Sequence, residues 1–160
     1  MSALPTLAYA RPAIAAFAAM GVLWGTFAAV LPDLMAMLDV DERQLGLLIF
    51  FTPIAAISAM LVAPAFGTLA GRATLPLSVA LMSLAFTLPG LASVIWLFPL
   101  AMACAGAATG LTDVLMNARV AAMETSRGLH LMNLTHAAYS FGYAGGAVLT
   151  GALRGAGWGP

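Results

Sequence analysis

What most restricts the folding of this chain is where its charges are absent. They fall at Arg11, between Asp33 and Arg43, at Arg72, between Asp113 and Arg127, and at Arg154, and the stretches between them are apolar. A helix rises about 1.5 Å per residue and a hydrocarbon core is about 30 Å thick, so one crossing takes roughly 20 residues. The charge-free runs reach that length: about 21 residues from Pro12 to Pro32, about 28 from Gln44 to Gly71, about 40 from Ala73 to Thr112 and about 25 from Leu129 to Leu153. Pro89, Gly90 and Ser93 divide the longest run, because Pro and Gly end helices and accept tight reversals.

Five spans follow, at approximately 12–32, 45–70, 73–89, 94–118 and 130–153. The expected fold is all-α, a polytopic transmembrane helix bundle in a lipid bilayer. Only 8% of the 160 residues are charged, against about a quarter in soluble domains. A cleaved signal peptide at the first span is the alternative there, but its apolar run is too long for a signal core and more membrane follows. Cys104 is the single cysteine, which excludes an intrachain disulfide. Zero net charge argues against a nucleic-acid partner. With the N-terminus cytoplasmic, Arg11, Arg72, Arg119 and Arg127 fall inside and Arg43 and Arg154 outside, so the arginine bias favours that orientation in a cell inner (plasma) membrane.

Helices in lipid associate through close backbone approach at small residues, and four pairs have the spacing: Gly21 with Gly25, Gly67 with Gly71, Gly106 with Gly110, and Gly142 with Gly146. Ordinary packing accounts for these pairs. The polar residues are more informative. Thr109, Asp113 and Asn117 recur every fourth position on the fourth span, so they share one helix face. Burial disfavours the charged form of a carboxylate, and proton exchange is the natural chemistry of Asp113 there. A structural hydrogen-bond network, or hydration near the inner interface, is the plainer reading. On the fifth span Asn133, His136, Tyr139, Ser140 and Tyr143 fall in an arc of roughly 120°, with Gly142, Gly145 and Gly146 expected on the other side. Amide, imidazole, hydroxyl and ring groups together suit a small polar solute, although a lone histidine such as His136 also serves simply in packing.

An enzyme is not expected. His130 and His136 lie on different faces, Asp113 has no second carboxylate at membrane depth, and neither a phosphate loop nor a nucleophile elbow is present. No metal and no cofactor are implied.

The stretch from Leu111 to Val148, with Asp113 and Asn117 four apart and then Asn133, Leu134, Ser140, Phe141 and Gly142, resembles the fourth and fifth helices of the fucose permease branch of the major facilitator superfamily. The segment from Leu23 to Leu48 is similar to that branch's first helix, outer loop and second helix. The branch places a functional carboxylate near the end of its first helix. Asp33 is displaced from that place by one residue relative to Trp24 and follows Pro32, so the role is not carried over. Gly67, Leu69, Ala70 and Arg72 match the family's loop between helices two and three, where Gly67 and Arg72 are gating-loop candidates. Gly71 stands where the family has an acidic residue.

The resemblance implies the N-terminal portion, about five of twelve helices, of a proton-coupled transporter working by alternating access between two halves. Asp113 would carry the coupling proton, and Asn117, Asn133, His136, Tyr139, Ser140 and Tyr143 would meet a sugar or similar small polar solute. The remaining wall would come from a missing C-terminal half or a partner chain. The alternatives are a truncated, non-transporting membrane protein acting as a helix-packing or assembly partner, and an efflux protein of the same superfamily.

Overall fold

The computed structural model describes residues 3–128 and 130–158, with side chains from Ala10 onward. Among these residues every regular element is helical: α1 (Ala3–Leu38), α2 (Glu42–Ile49), α3 (Phe51–Ala70), a single 3-10 turn (Gly71–Ala73), α4 (Thr74–Ala85), α5 (Leu88–Leu91), α6 (Phe98–Arg127) and α7 (Met132–Gly155). Helices satisfy their own backbone hydrogen bonds, which lipid requires of any segment it surrounds.

Three stretches are long and apolar enough to cross a membrane: Ala10–Leu38, Glu42–Leu91 and Phe98–Arg127. The second is folded back on itself. Gly71, with φ +53°, ends α3 in a conformation that strains any other residue, and Thr74 closes the turn by donating its hydroxyl to the carbonyls of Gly67 and Gly71. Gly71 is therefore a helix stop rather than the packing residue that its spacing from Gly67 suggests. The helix α7 is not among these three stretches.

Helix ends differ from the sequence expectation for identifiable reasons. Pro12 and Pro32 were expected to bound the first span, yet both lie inside α1. The helix stops at Asp39, a left-handed residue with φ +54°, and Val40 returns its N–H to the carbonyl of Met35. Asp41 and Gln44 form a reciprocal capping box, which starts α2 at Glu42 rather than at position 45. Pro89 and Gly90 form one helical turn instead of the reversal itself, which is completed by 92–97 before α6 begins. That helix then runs to Arg127 and ends at left-handed Gly128.

Glycines set which helices meet most closely. A Cβ built on Gly21 would lie 2.1 Å from the carbonyl oxygen of Tyr139, and one on Gly25 2.1 Å from that of Tyr143. From the other side, Gly142 meets Ala18 and Gly146 meets Val22. Both numberings advance together, so α1 and α7 are parallel and in backbone contact. In the same way Gly106 meets Thr52 and Gly110 meets Ala56, which makes α3 and α6 a second parallel pair. Gly145 meets nothing within 4 Å and does not share the α1 face with its two neighbours.

Side chains fill the space between the pairs in two clusters. Phe17 and Met20 of α1 pack with Met82 of α4 and Met116, Val120 and Met123 of α6. Phe27, Leu34 and Leu38 pack with Leu45, Phe98 and Met102. The start of α1 thus lies beside the end of α6, and these helices are antiparallel. Trp24 joins the clusters, edge-on to Phe27 and to Phe86 at 5.7 and 5.1 Å between ring centroids. One buried hydroxyl bridges helices here: Thr112 donates to the carbonyl of Ser78 at 3.0 Å. Outside, large apolar side chains are bare, with Leu69 89% and Phe141 79% exposed. In water such a surface drives aggregation, whereas lipid covers it at no cost.

Candidate functional site

The polar residues of α6 and α7 converge where these helices pass each other near the start of α1. The repeat Thr109, Asp113, Asn117 forms a half-buried line on α6, as fourfold spacing requires. Within it the Asn117 amide donates to the Asp113 carboxylate at 3.0 Å and to the Asp113 backbone carbonyl at 2.9 Å, so one helical turn fixes the carboxylate's orientation. The Thr109 hydroxyl is buried and has no hydrogen-bond partner among the described residues.

Two α7 side chains come within electrostatic reach of Asp113, the imidazole of His136 and the phenol of Tyr139. The imidazole stands edge-on to Phe17 of α1, 5.0 Å between ring centroids, which holds it in place while leaving it exposed. Tyr139 is half-buried, with the Tyr143 ring 6.3 Å away. Asp113, Asn117, His136 and Tyr139 therefore form one constellation drawn from two helices and seated on a third.

The other candidates lie outside it. Ser140 turns its hydroxyl back to the His136 carbonyl at 3.1 Å, and Asn133 and Tyr143 are exposed. Gly67 and Arg72 belong to the α3–α4 turn, where Gly67 packs beneath the Leu115 side chain and Arg72 is exposed. The constellation lies on an open face. A half-enclosed cavity of about 340 Å³ exists elsewhere, between α1 and the end of α4, and its walls are almost wholly apolar, among them Leu23, Phe27, Val30, Phe86 and Leu91.

Three interactions escape a sequence reading. The Asp33 carboxylate of α1 is bound by the Arg154 guanidinium of α7 through two parallel hydrogen bonds, Nε to Oδ2 and Nη2 to Oδ1. This fork geometry makes Asp33 a clamp between the paired helices. Thr150 donates to the Thr26 hydroxyl at 3.2 Å in the same interface. Nothing local marks these pairs, which join residues more than a hundred positions apart. Glu124 is the third. Counted from Phe98, a hydrocarbon core of about 30 Å is used up near Asn117, so Glu124 stands outside it. Its carboxylate accepts the backbone N–H groups of Leu131 and Met132, the latter at 2.8 Å, and so caps the start of α7 from the end of α6. These two bonds hold the Glu124 carboxyl below its ordinary range. An acidic residue shortly before a helix start is a usable sequence signal for such a cap.

No protein-family model matches the chain, and neither a curated protein nor a solved structure matches it.

Proposed function

We infer that this chain forms part of a secondary active transporter of the major facilitator type, in which Asp113 exchanges the coupling proton and the α6–α7 face meets a sugar or similar small polar solute. The observation that carries this reading is the half-buried Asp113 carboxylate, oriented by Asn117, with His136 and Tyr139 within electrostatic reach. A carboxylate at membrane depth is costly unless it is neutralised or hydrated, and proton uptake neutralises it for passage through an occluded state. The neighbouring amide, imidazole and phenol supply donors and acceptors for a hydroxylated solute. On this reading α1, α2–α3, α4–α5, α6 and α7 are the crossings, five in all, in an inner membrane with the N-terminus cytoplasmic.

The test is uptake of labelled hexoses and pentoses into vesicles under an imposed inward proton gradient. Asp113→Asn is expected to abolish gradient-driven uptake while sparing exchange of labelled for unlabelled solute. Uptake by the variant that still follows the gradient sinks the assignment. A second reading, a non-transporting assembly partner, is favoured by the openness of the Asp113 face. It predicts vesicle insertion and no uptake of any solute in the panel.

A further inference from the structure

The polar contacts between helices are unevenly distributed. Gly21 and Gly25 seat α1 against the α7 backbone, with the Thr26–Thr150 bond and the Asp33–Arg154 clamp in the same interface. Gly106 and Gly110 seat α6 against the α3 backbone, and Thr112 ties α6 to α4. The Thr26–Thr150, Asp33–Arg154 and Thr112–Ser78 contacts thus each lie within one of two units, α1 with α7 or α3 with α4 and α6. Glu124 instead fastens the end of α6 to the start of α7.

The seam between the units is of another kind. It is filled by side chains, with Met20 facing Met82, Met116 and Met123 at the Glu124 end. Methionine is unbranched and adapts to shifted neighbours, whereas glycine-seated backbones do not slide without a clash. At the opposite end Phe27, Leu34 and Leu38 pack on Phe98 and Met102, and beside them the seam holds the cavity of about 340 Å³, with Leu23 and Val30 on one wall and Phe86, Pro89 and Leu91 on the other. The short α2, offset from α3 at Phe50, carries the chain across the seam at that end and packs on α6.

The geometry points to a rocking device: α1 and α7 tilt as one body against α3, α4 and α6, pivoting at the Glu124 end and closing or widening the apolar cavity at the other. From Ala10 to Leu34 is about 36 Å at 1.5 Å per residue, so a tilt of about 10° moves the far end by about 6 Å. Such a tilt also shifts His136 and Tyr139 relative to Asp113, because they lie on opposite sides of the seam. The device belongs to the helix packing and stands whether or not the protein moves a solute.

Spin-label distance measurements on the full chain in lipid nanodiscs test it. Cys104 is first replaced by Ala, and label pairs go at exposed sites: Ala36 with Leu100 across the seam at the cavity end, Ala15 with Ala122 across it at the Glu124 end, and Ala36 with Leu153 inside one unit. The Ala36–Leu100 distribution is expected to be at least about twice as broad as the other two, in keeping with hinge motions of several ångströms. Val30→Phe, which fills the cavity, is expected to narrow it. An Ala36–Leu100 distribution no broader than Ala36–Leu153 overturns the device in favour of a rigid bundle. Equal breadth at Ala15–Ala122 overturns the pivot.

Discussion

Replacing Gly110 by Ala places a methyl group 2.2 Å from the Ala56 carbonyl oxygen and 2.7 Å from its carbon. Ordinary contact begins at 3.4 Å, so α3 and α6 must part by about 1.2 Å. The obstacle is backbone, which cannot turn aside as a side chain can. Gaps of about 0.5–1 Å already forfeit a quarter to a half of a dispersion contact, and overpacking a fitted interface costs about 1–3 kcal/mol. Alanine returns about 1 kcal/mol of helix propensity. Gly145→Ala is the internal control, because it lies in the middle of α7 with nothing within 4 Å of its Cβ position. The propensity gain is common to both variants, so their difference isolates the packing loss. That difference is about 1–3 kcal/mol, roughly a 5- to 150-fold shift in the unfolding equilibrium. Reversible unfolding in mixed micelles containing SDS, followed by far-ultraviolet circular dichroism, measures it. If Gly110→Ala proves as stable as Gly145→Ala, the close α3–α6 approach is wrong.

Other consequences follow from single contacts. Thr112→Val removes the buried hydroxyl bond to the Ser78 carbonyl while keeping the shape, and is expected to cost about 0.5–1.5 kcal/mol in the same unfolding assay. Asp33→Asn and Arg154→Gln are expected to weaken the protein less together than the sum of the two, and added salt is expected to shrink that coupling because both side chains are partly exposed. The Glu124 cap is expected to depend on pH. Its folded pKa lies below the ordinary value of 4.5, so its stabilisation is complete above about 4.5 and fades as pH falls through the folded value. Amide exchange at Leu131 and Met132 is the readout: protection beyond the intrinsic pH dependence should fall in that acid window, and Glu124→Gln should remove the step.

The spacing of residues by itself determined the helical class, the lipid-suited exterior and the faces on which the polar groups lie. Charge-free runs can do this because membrane thickness converts directly into residue number, and fourfold recurrence converts directly into one helix face. It also marked Gly21, Gly25, Gly106, Gly110, Gly142 and Gly146 as close-approach positions, since only a missing Cβ lets backbones touch. Local chemistry reset the ends: the Asp41–Gln44 box started α2 early, and Pro12 and Pro32 sit within α1 instead of bounding it. Only the tertiary structure decided that α1 pairs with α7 and α3 with α6, because a glycine stripe states that something approaches without stating what. The same packing separated the arc on α7 into residues within electrostatic reach of Asp113, His136 and Tyr139, and others outside that constellation, such as Asn133 and Tyr143. It also gave Asp33 its partner, since a contact between residues 121 positions apart leaves no periodic trace in the chain and is fixed only when the parallel helices bring Arg154 alongside.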